Sequence, residues 1–269
     1  PYRDGSDFFY GAGLDLKFRL SSNVTLGATL NPDFGQVEVD PAVVNLTAFE
    51  TRFQEKRPFF VEGAEIFAFG ETGGGGPGGG GGGGGMFGGG GGGGRGGGPT
   101  QLLYSRRIGD PPPGDGPDEA AYKEVPDATT ILAAAKLTGQ TAGGWSLGLL
   151  EAVTGREVAN FVDELGQAGE ADVAPRTNHL VTRIRKDFRD GQSAVGGIGT
   201  AVNRDLGNEA LAKELRSAAY TGGLDFFHEW ADRSWALSGQ VAGSRIAGEA
   251  GVIEGAQSSS ARYYQRPDA

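Results

Sequence analysis

The chain has 269 residues with a net charge of −10, and 38% of its residues are hydrophobic. No run of roughly 18 or more apolar residues occurs, which excludes a bundle of membrane-spanning helices, and the acidic balance argues against nucleic acid as a partner. There is no cysteine and there are two histidines, which excludes disulfides, Cys-based zinc sites and three-His metal sites, so we expect no cofactor.

The first predicted element is a hairpin near the start of the chain. From Tyr10 to Leu20 apolar residues alternate with polar or small ones, and the alternation resumes from Val24 to Leu30 after a short polar turn. Alternation with period two predicts strands, because successive side chains of a strand point to opposite faces.

Three more predicted hairpins repeat this pattern. They pair Thr129–Gln140 with Trp145–Leu149, Leu180–Phe188 with Ala194–Asn203, and Tyr220–Glu229 with Ser234–Ser244, and a ninth strand is predicted near Ser259–Gln265. Turns inside the hairpins are short, whereas the connections between hairpins are long. This alternation is typical of outer-membrane barrels, whose tilted strands need about 9–11 residues to cross a bilayer.

We therefore predict an all-β fold, an antiparallel up-and-down transmembrane β-barrel of which this chain supplies about eight or nine strands. We expect further strands to precede residue 1 and to follow residue 269. The apolar face would meet lipid, with Tyr10, Trp145, Tyr220 and Trp235 as an aromatic girdle near strand ends. The opposite face would line a lumen through these candidate residues: Asp15, Lys17, Arg19, Lys136, Arg183, Arg185, Asp225 and Glu229. A soluble sandwich or barrel, with the apolar face inward, is the alternative.

The connection after the first hairpin contains a segment too apolar for a free loop. Asp40 and Pro41 are typical of a helix start, apolar residues then recur at helical spacing up to Phe53, and Pro58 would end that helix. We expect the segment to fold back into the lumen as a plug or constriction, with its cations against wall carboxylates. The candidate plug residues are Phe49, Arg52, Phe53, Lys56, Arg57, Phe59 and Phe60.

The predicted organisation has five parts. Residues 1–31 form the first hairpin, 32–72 the plug-like insertion, 73–99 a Gly-rich tether, 100–128 an irregular loop, and 129–269 further hairpins that are incomplete at the C-terminus. Of the 51 glycines, 22 fall within residues 73–98. We expect disorder there, because such a chain has the largest backbone entropy and nothing to bury. A phosphate-binding loop is not supported, since no Lys-Ser or Lys-Thr follows the glycines.

Several stretches resemble a bacterial family of unknown function, the domain of unknown function 5916. The longest is NPDFGQVEVDPAVVNLTAFETRFQEKRPFFVEGAEIF at 31–67; SRRIG at 105–109, ATTILAAAKLTG at 128–139, AVNRDL at 201–206 and SSARYYQRPDA at 259–269 are also similar. The resemblance implies an outer-membrane barrel, which in relatives usually follows a domain similar to carbohydrate-binding family 9. That domain is absent here, and the resemblance carries no assigned activity.

The expected function is that of a porin-like or transport channel in the bacterial outer membrane. Its expected partners are membrane lipid and a carbohydrate or other small solute. One alternative is a carbohydrate-active hydrolase or sugar-binding surface protein, through the family 9-like domain of relatives, and another is a structural surface platform. The insertion is rich in carboxylates and the strands carry arginines, which could serve catalysis and solute selection, or could simply form ion pairs with one another.

Overall fold

The computed structural model describes residues 12–32, 44, 51–70 and 102–259. These residues form two antiparallel sheets with a few short helices, so the expected all-β class is confirmed. Within these described ranges eleven strands follow one another: β1 Leu14–Ser21, β2 Val24–Leu30, β3 Ala120–Glu124, β4 Ile131–Gln140, β5 Trp145–Thr154, β6 Glu157–Asp163, β7 Ala168–Ala174, β8 Thr177–Phe188, β9 Ser193–Arg204, β10 Ala218–Trp230 and β11 Trp235–Ala247.

The large sheet has eight strands in the order β1-β2-β4-β5-β8-β9-β10-β11, and every neighbouring pair is antiparallel. The four hairpins read from the alternation are β1–β2, β4–β5, β8–β9 and β10–β11. Their short turns all lie at one end of the sheet, which we call the short-turn end. Positive φ angles at Arg189, Asp190 and Gly191 make the β8–β9 turn tight, as such hairpin turns require.

The small sheet has the order β3-β6-β7 and lies in connections that the sequence pattern left as irregular. The β6–β7 hairpin begins just beyond the end of the β5–β8 ladder: Thr154 pairs with Thr177, and Glu157 then pairs with Ala174. β5 also continues to Thr154, past the predicted end at Leu149. The β6–β7 hairpin therefore continues beyond the β5–β8 pair, at the end of the large sheet opposite the short turns.

Helical structure is sparse in the described ranges. The helices are α1 Pro58–Val61, α2 Glu209–Glu214 and α3 Ala250–Ser258, with 3-10 turns at Ala64–Phe67 and Ser105–Arg107. Most of the segment predicted to form a helix before Pro58, residues 40–43 and 45–50, lies outside the described residues; residues 51–57 are described and are not helical, and Pro58 starts α1. Proline fits the first helical position because the amide N–H it lacks would have no partner there. Among the described residues no helix is both long and apolar enough to span a membrane.

The large sheet has two unlike faces. The apolar face is exposed and includes Leu16, Leu147, Leu224 and Val241. The other face, which we call the polar face, is partly covered by residues 51–70, and a small core forms between them. Its buried members are Phe60, Phe67, Leu103, Ile108, Ile131, Ala134, Leu150, Ala152 and Val181.

The sheet is open along β1 and β11. Within the described part of the chain, β1 pairs only with β2 and β11 only with β10, so these strands do not close a barrel. Tyr10, Phe49, the glycine run and most of the predicted ninth strand lie outside the described residues.

Candidate functional site

The candidate site is the polar face of the large sheet together with residues 51–70, which we call the wedge. Side chains reach this face from alternate positions of each strand, because strand side chains alternate between faces. Lys17 pairs with Gly27, which pairs with Lys136, so these three residues occupy one rung of β1, β2 and β4. Arg183 and Asp225 lie on the same face further along the sheet.

Phenylalanine rings of the wedge rest on glycines of the large sheet, which we call the wall. A Cβ added to Gly27 would lie 3.6 Å from the ring of Phe59, one on Gly148 would lie 2.9 Å from Phe67, and one on Gly223 would lie 2.5 Å from Phe69. The last two distances are shorter than real Cβ contacts. The missing side chains therefore form sockets that fix where the wedge sits.

Two lysines of the wall bind the wedge through its oxygen atoms. The Lys136 ammonium donates to the carbonyl oxygens of Phe59 and Glu62, and it also lies 5.1 Å from the centre of the Phe59 ring. Lys17 forms an ion pair with the Glu62 carboxylate. The hydrogen bond and charge of Lys17 lower the pKa of Glu62 below its ordinary value, more than partial burial raises it.

A buried ionic network joins the wedge to residues 102–110. The Arg57 guanidinium donates from Nε and Nη2 to the Glu55 carboxylate at 2.8 and 2.7 Å, and from Nη1 to the carbonyl of Ile108 at 2.6 Å. The Ser105 hydroxyl donates to the same carboxylate at 2.5 Å. Burial by itself raises the pKa of Glu55, but the hydrogen bonds and charge of Arg57 and the Ser105 hydroxyl outweigh it, so the pKa is lowered overall.

Opposite charges meet on the wall itself. Arg183 and Asp225 form a two-pronged pair with distances of 2.6 and 2.8 Å, and the Arg183 side chain is only 1% exposed. Gly196 makes room for the pair, since a Cβ there would lie 2.8 Å from both Arg183 Nη1 and Asp225 Oδ1. Phe69 of the wedge lies 5.8 Å from the Arg183 guanidinium. The wall arginine is thus neutralised by the wall and covered by the wedge.

The remaining sequence-predicted residues lie nearby or at the margins. Arg185 pairs with Asp187 at 3.1 Å and Glu229 with Arg233 at 3.5 Å, while Asp15 and Arg19 are on the exposed edge strand β1. Arg52 lies over the ring of Tyr104 and Arg106 over that of Phe53. The structure differs from the prediction at Arg57. This residue was expected to face carboxylates of the wall, but it binds Glu55 of its own segment.

Sequence reasoning missed the residues that join the two parts. Glu55 and Glu62 were read only as members of a carboxylate-rich stretch, and Phe69 and the socket glycines were not singled out. A signal was available in the strands, because Gly27, Gly148 and Gly223 stand at positions where the alternation calls for a polar-face side chain. Glycine within a strand often marks close approach of another group.

The apolar face carries aromatic side chains at the short-turn end. Trp145, Trp230 and Trp235 are each more than two-fifths exposed, and Trp230 stacks on Trp235 with ring centres 6.5 Å apart. Lys186 reaches over Trp145 and Phe188, with its ammonium 5.3 and 5.5 Å from the ring centres. These residues form a belt of exposed aromatic rings at the short-turn end, and Lys186 places a charged group next to two of the rings.

An open groove of about 520 Å³ crosses β8 to β11 on the apolar face. Gly199, Gly222 and Gly243 are register partners on neighbouring strands, so three adjacent strands lack side chains along one rung. Leu224 and Val241 stand at its side. This groove lies on the opposite side of the sheet from the wedge.

Comparison with known proteins identifies the family. The model for a domain of unknown function, DUF5916, matches residues 2–72 and 99–265. The chain belongs to this family. The match is interrupted at the glycine run. It includes both the wedge and the eight strands of the large sheet. No curated protein and no solved structure is significantly similar to the chain.

Proposed function

We propose that this DUF5916 chain forms part of the wall of a transmembrane β-barrel in the bacterial outer membrane, and that the barrel is a porin-like or transport channel narrowed by the wedge. The observation that carries the proposal is the distribution of side chains between the two faces. Leu16, Leu224 and Val241 are 58%, 62% and 66% exposed, while Lys136, Arg183 and Asp225 on the polar face are at most 9% exposed. A water-soluble sheet has the opposite arrangement.

Lipid explains the exposed face. Burying apolar surface stabilises a protein in water by about 25 cal/mol per Å², and this sheet leaves a row of large apolar side chains uncovered. A bilayer would cover them. The belt of Trp145, Trp230 and Trp235 matches the aromatic girdles that flank the apolar band of membrane barrels.

The open edges support a barrel with more strands than the eight described here. In a bilayer the backbone groups of β1 and β11 need partners, which only further pairing provides. Pairing β1 with β11 would give an eight-stranded barrel, whose interior is just wide enough for its own side chains. The wedge needs additional room, so other strands would have to lie between β1 and β11.

The wedge would act as the constriction of such a channel. The wedge covers part of the polar face with buried aromatic rings and binds Lys17 and Lys136. Solutes would therefore pass beside the wedge, or would pass once the wedge is displaced. The charges of ion pairs such as Arg183–Asp225 neutralise each other on the wall, so selection among solutes would depend on the charged groups that the wedge covers.

Conductance of the full chain in planar bilayers tests the channel. We expect discrete openings that become larger when the wedge is deleted. Insertion into vesicles without conductance in either form would favour the structural platform, and failure to insert would exclude the barrel. Chromogenic glycosides in the same preparation test the hydrolase alternative.

A further inference from the structure

We propose that Lys17 and Lys136 form a binding cradle for a small dianionic solute, and that Glu62 of the wedge occupies this cradle in the closed state. The inference rests on the proposed channel and names its solute class, a compound with two carboxylates or a phosphate. It follows from how the two lysines are arranged and from what fills the space between them.

The cradle is built into the rung geometry. Lys17 and Lys136 are both register partners of Gly27, so they stand two strand spacings apart, about 10 Å between Cα atoms, on one face. Gly27 contributes no side chain between them, and the resulting gap holds the ring of Phe59. Two ammonium groups thus flank a floor that Phe59 covers in this structure and that a small molecule could enter once the wedge is displaced.

The occupant of this cradle is a set of oxygen atoms from the wedge. Lys17 binds the Glu62 carboxylate, and Lys136 binds the carbonyl oxygens of Phe59 and Glu62. The negative charges that act on Lys136 are those of Glu62 and Glu65, which also belong to the wedge. When the wedge moves away, the negative charge that these contacts bring to the two lysines moves with it.

This arrangement gives the anion a means of displacing the wedge. Lys136 is 6% exposed, and a cation so removed from water is costly unless it is hydrogen-bonded or paired with a negative charge. A dianion that reaches both ammonium groups offers the charge that Glu62 supplies with one carboxylate. Solute binding and wedge displacement are then linked, because both require the same two lysines.

The test measures binding and lysine accessibility rather than conductance. The full chain in detergent is titrated calorimetrically with succinate, and separately with inorganic phosphate, while amine labelling of Lys17 and Lys136 is followed by mass spectrometry. Glu62→Gln should bind succinate about fivefold more tightly than wild type, the upper range for losing one exposed ion pair. Its two lysines should be labelled faster, and succinate should protect them while Lys123 of β3 remains unaffected.

Glu65→Gln is the matched control, since it removes the same charge from the same segment without breaking the Lys17 ion pair. Equal effects of the two variants, or equal protection of Lys123, would overturn the assignment. Lys17→Met should abolish succinate binding in the otherwise wild-type chain, and unchanged binding would overturn the proposal even if Glu62→Gln fails to fold. A chain that binds succinate in this way but does not conduct would contradict the channel and leave the cradle standing.

Discussion

Gly223→Ala tests whether the sockets of the wall hold the wedge. A Cβ at this position would lie 2.5 Å from Cζ and 2.8 Å from Cε2 of Phe69, and 3.1 Å from a methyl group of Leu102. Phe69 is 4% exposed, so its ring cannot turn aside without disturbing buried neighbours. The added methyl group should therefore push this end of the wedge off the sheet.

The adjacent glycine provides a matched control. Gly222 points to the opposite face, where a Cβ would have the carbonyl oxygen of Ile198 at 3.9 Å as its nearest neighbour. Both substitutions remove a strand glycine and lower the entropy of the unfolded chain similarly, so their difference isolates the steric clash. Overpacking of this kind costs about 1–3 kcal/mol. We expect the free energy of unfolding of Gly223→Ala to be lower than that of Gly222→Ala by that amount.

Urea titration of the two variants in lipid vesicles measures the difference, and limited proteolysis within residues 51–70 reports on the wedge. Gly223→Ala should be cleaved there faster than Gly222→Ala while the strands remain protected. Equal unfolding free energies together with equal cleavage rates would refute the socket argument. A loss confined to Gly222→Ala would show that the two faces had been assigned the wrong way round.

Three further predictions test other parts of the molecule. Glu55→Gln should destabilise the wedge by about 3–5 kcal/mol, because it leaves the buried Arg57 charge uncompensated. The folded-state pKa of Glu55 is below its ordinary value of 4.5, so its stabilising effect is present above that pH and is lost as the pH falls through the folded pKa; acid titration of unfolding should show this loss in wild type and not in the variant. Gly196→Ala should cost about 1–3 kcal/mol by parting Arg183 from Asp225, measured by urea unfolding against wild type. Leu224→Arg should cost about 2–4 kcal/mol in vesicles if this side chain meets lipid near the bilayer centre, whereas a change within about 0.5 kcal/mol, as expected for a water-exposed position, would contradict the membrane interpretation.

The alternation of side chains predicted the large sheet well, because burial of one face imposes a period of two on every strand. Hairpins such as β8–β9 and β10–β11 appear where the pattern placed them, with their turns within a residue or two. The pattern does not tell which face meets the interior. Membrane barrels and soluble sheets alternate alike, so the proposal of a membrane barrel rests on the exposure of Leu224 and the burial of Lys136 rather than on the pattern.

The sequence pattern did not predict the small sheet, because its strands do not show a regular alternation of apolar and polar residues. β6, with the sequence EVANFVD, carries polar residues on both faces, and β7, with AGEADVA, consists mainly of small and acidic residues; both extend beyond the end of the large sheet. The role predicted for Pro58 as a helix end was wrong for another reason, since residues 51–57 are not helical and Pro58 begins α1. Proline ends a helix or begins one, and apolar spacing upstream gave no means of choosing between the two.

The contacts that hold the wedge were hidden for a third reason. Charge pairing read from sequence matches cations with carboxylates, so Arg57 was assigned to wall carboxylates. In the structure Arg57 binds Glu55 two residues away, and Lys136 of the wall binds main-chain carbonyl oxygens. Every residue carries a carbonyl, so no sequence pattern marks the one that accepts such a bond.

The sockets also determine how the wedge can move. Gly27, Gly148 and Gly223 belong to β2, β5 and β10, the second, fourth and seventh strands of the large sheet. With strands about 4.8 Å apart, the three seats extend over roughly 24 Å of wall. Rings fixed at three separated points prevent the wedge from sliding along the sheet, because any slide unseats all of them together. Opening of the proposed channel would then require the whole wedge to move away from the sheet. A single socket substitution would release one end of the wedge and leave the other end in contact with the sheet.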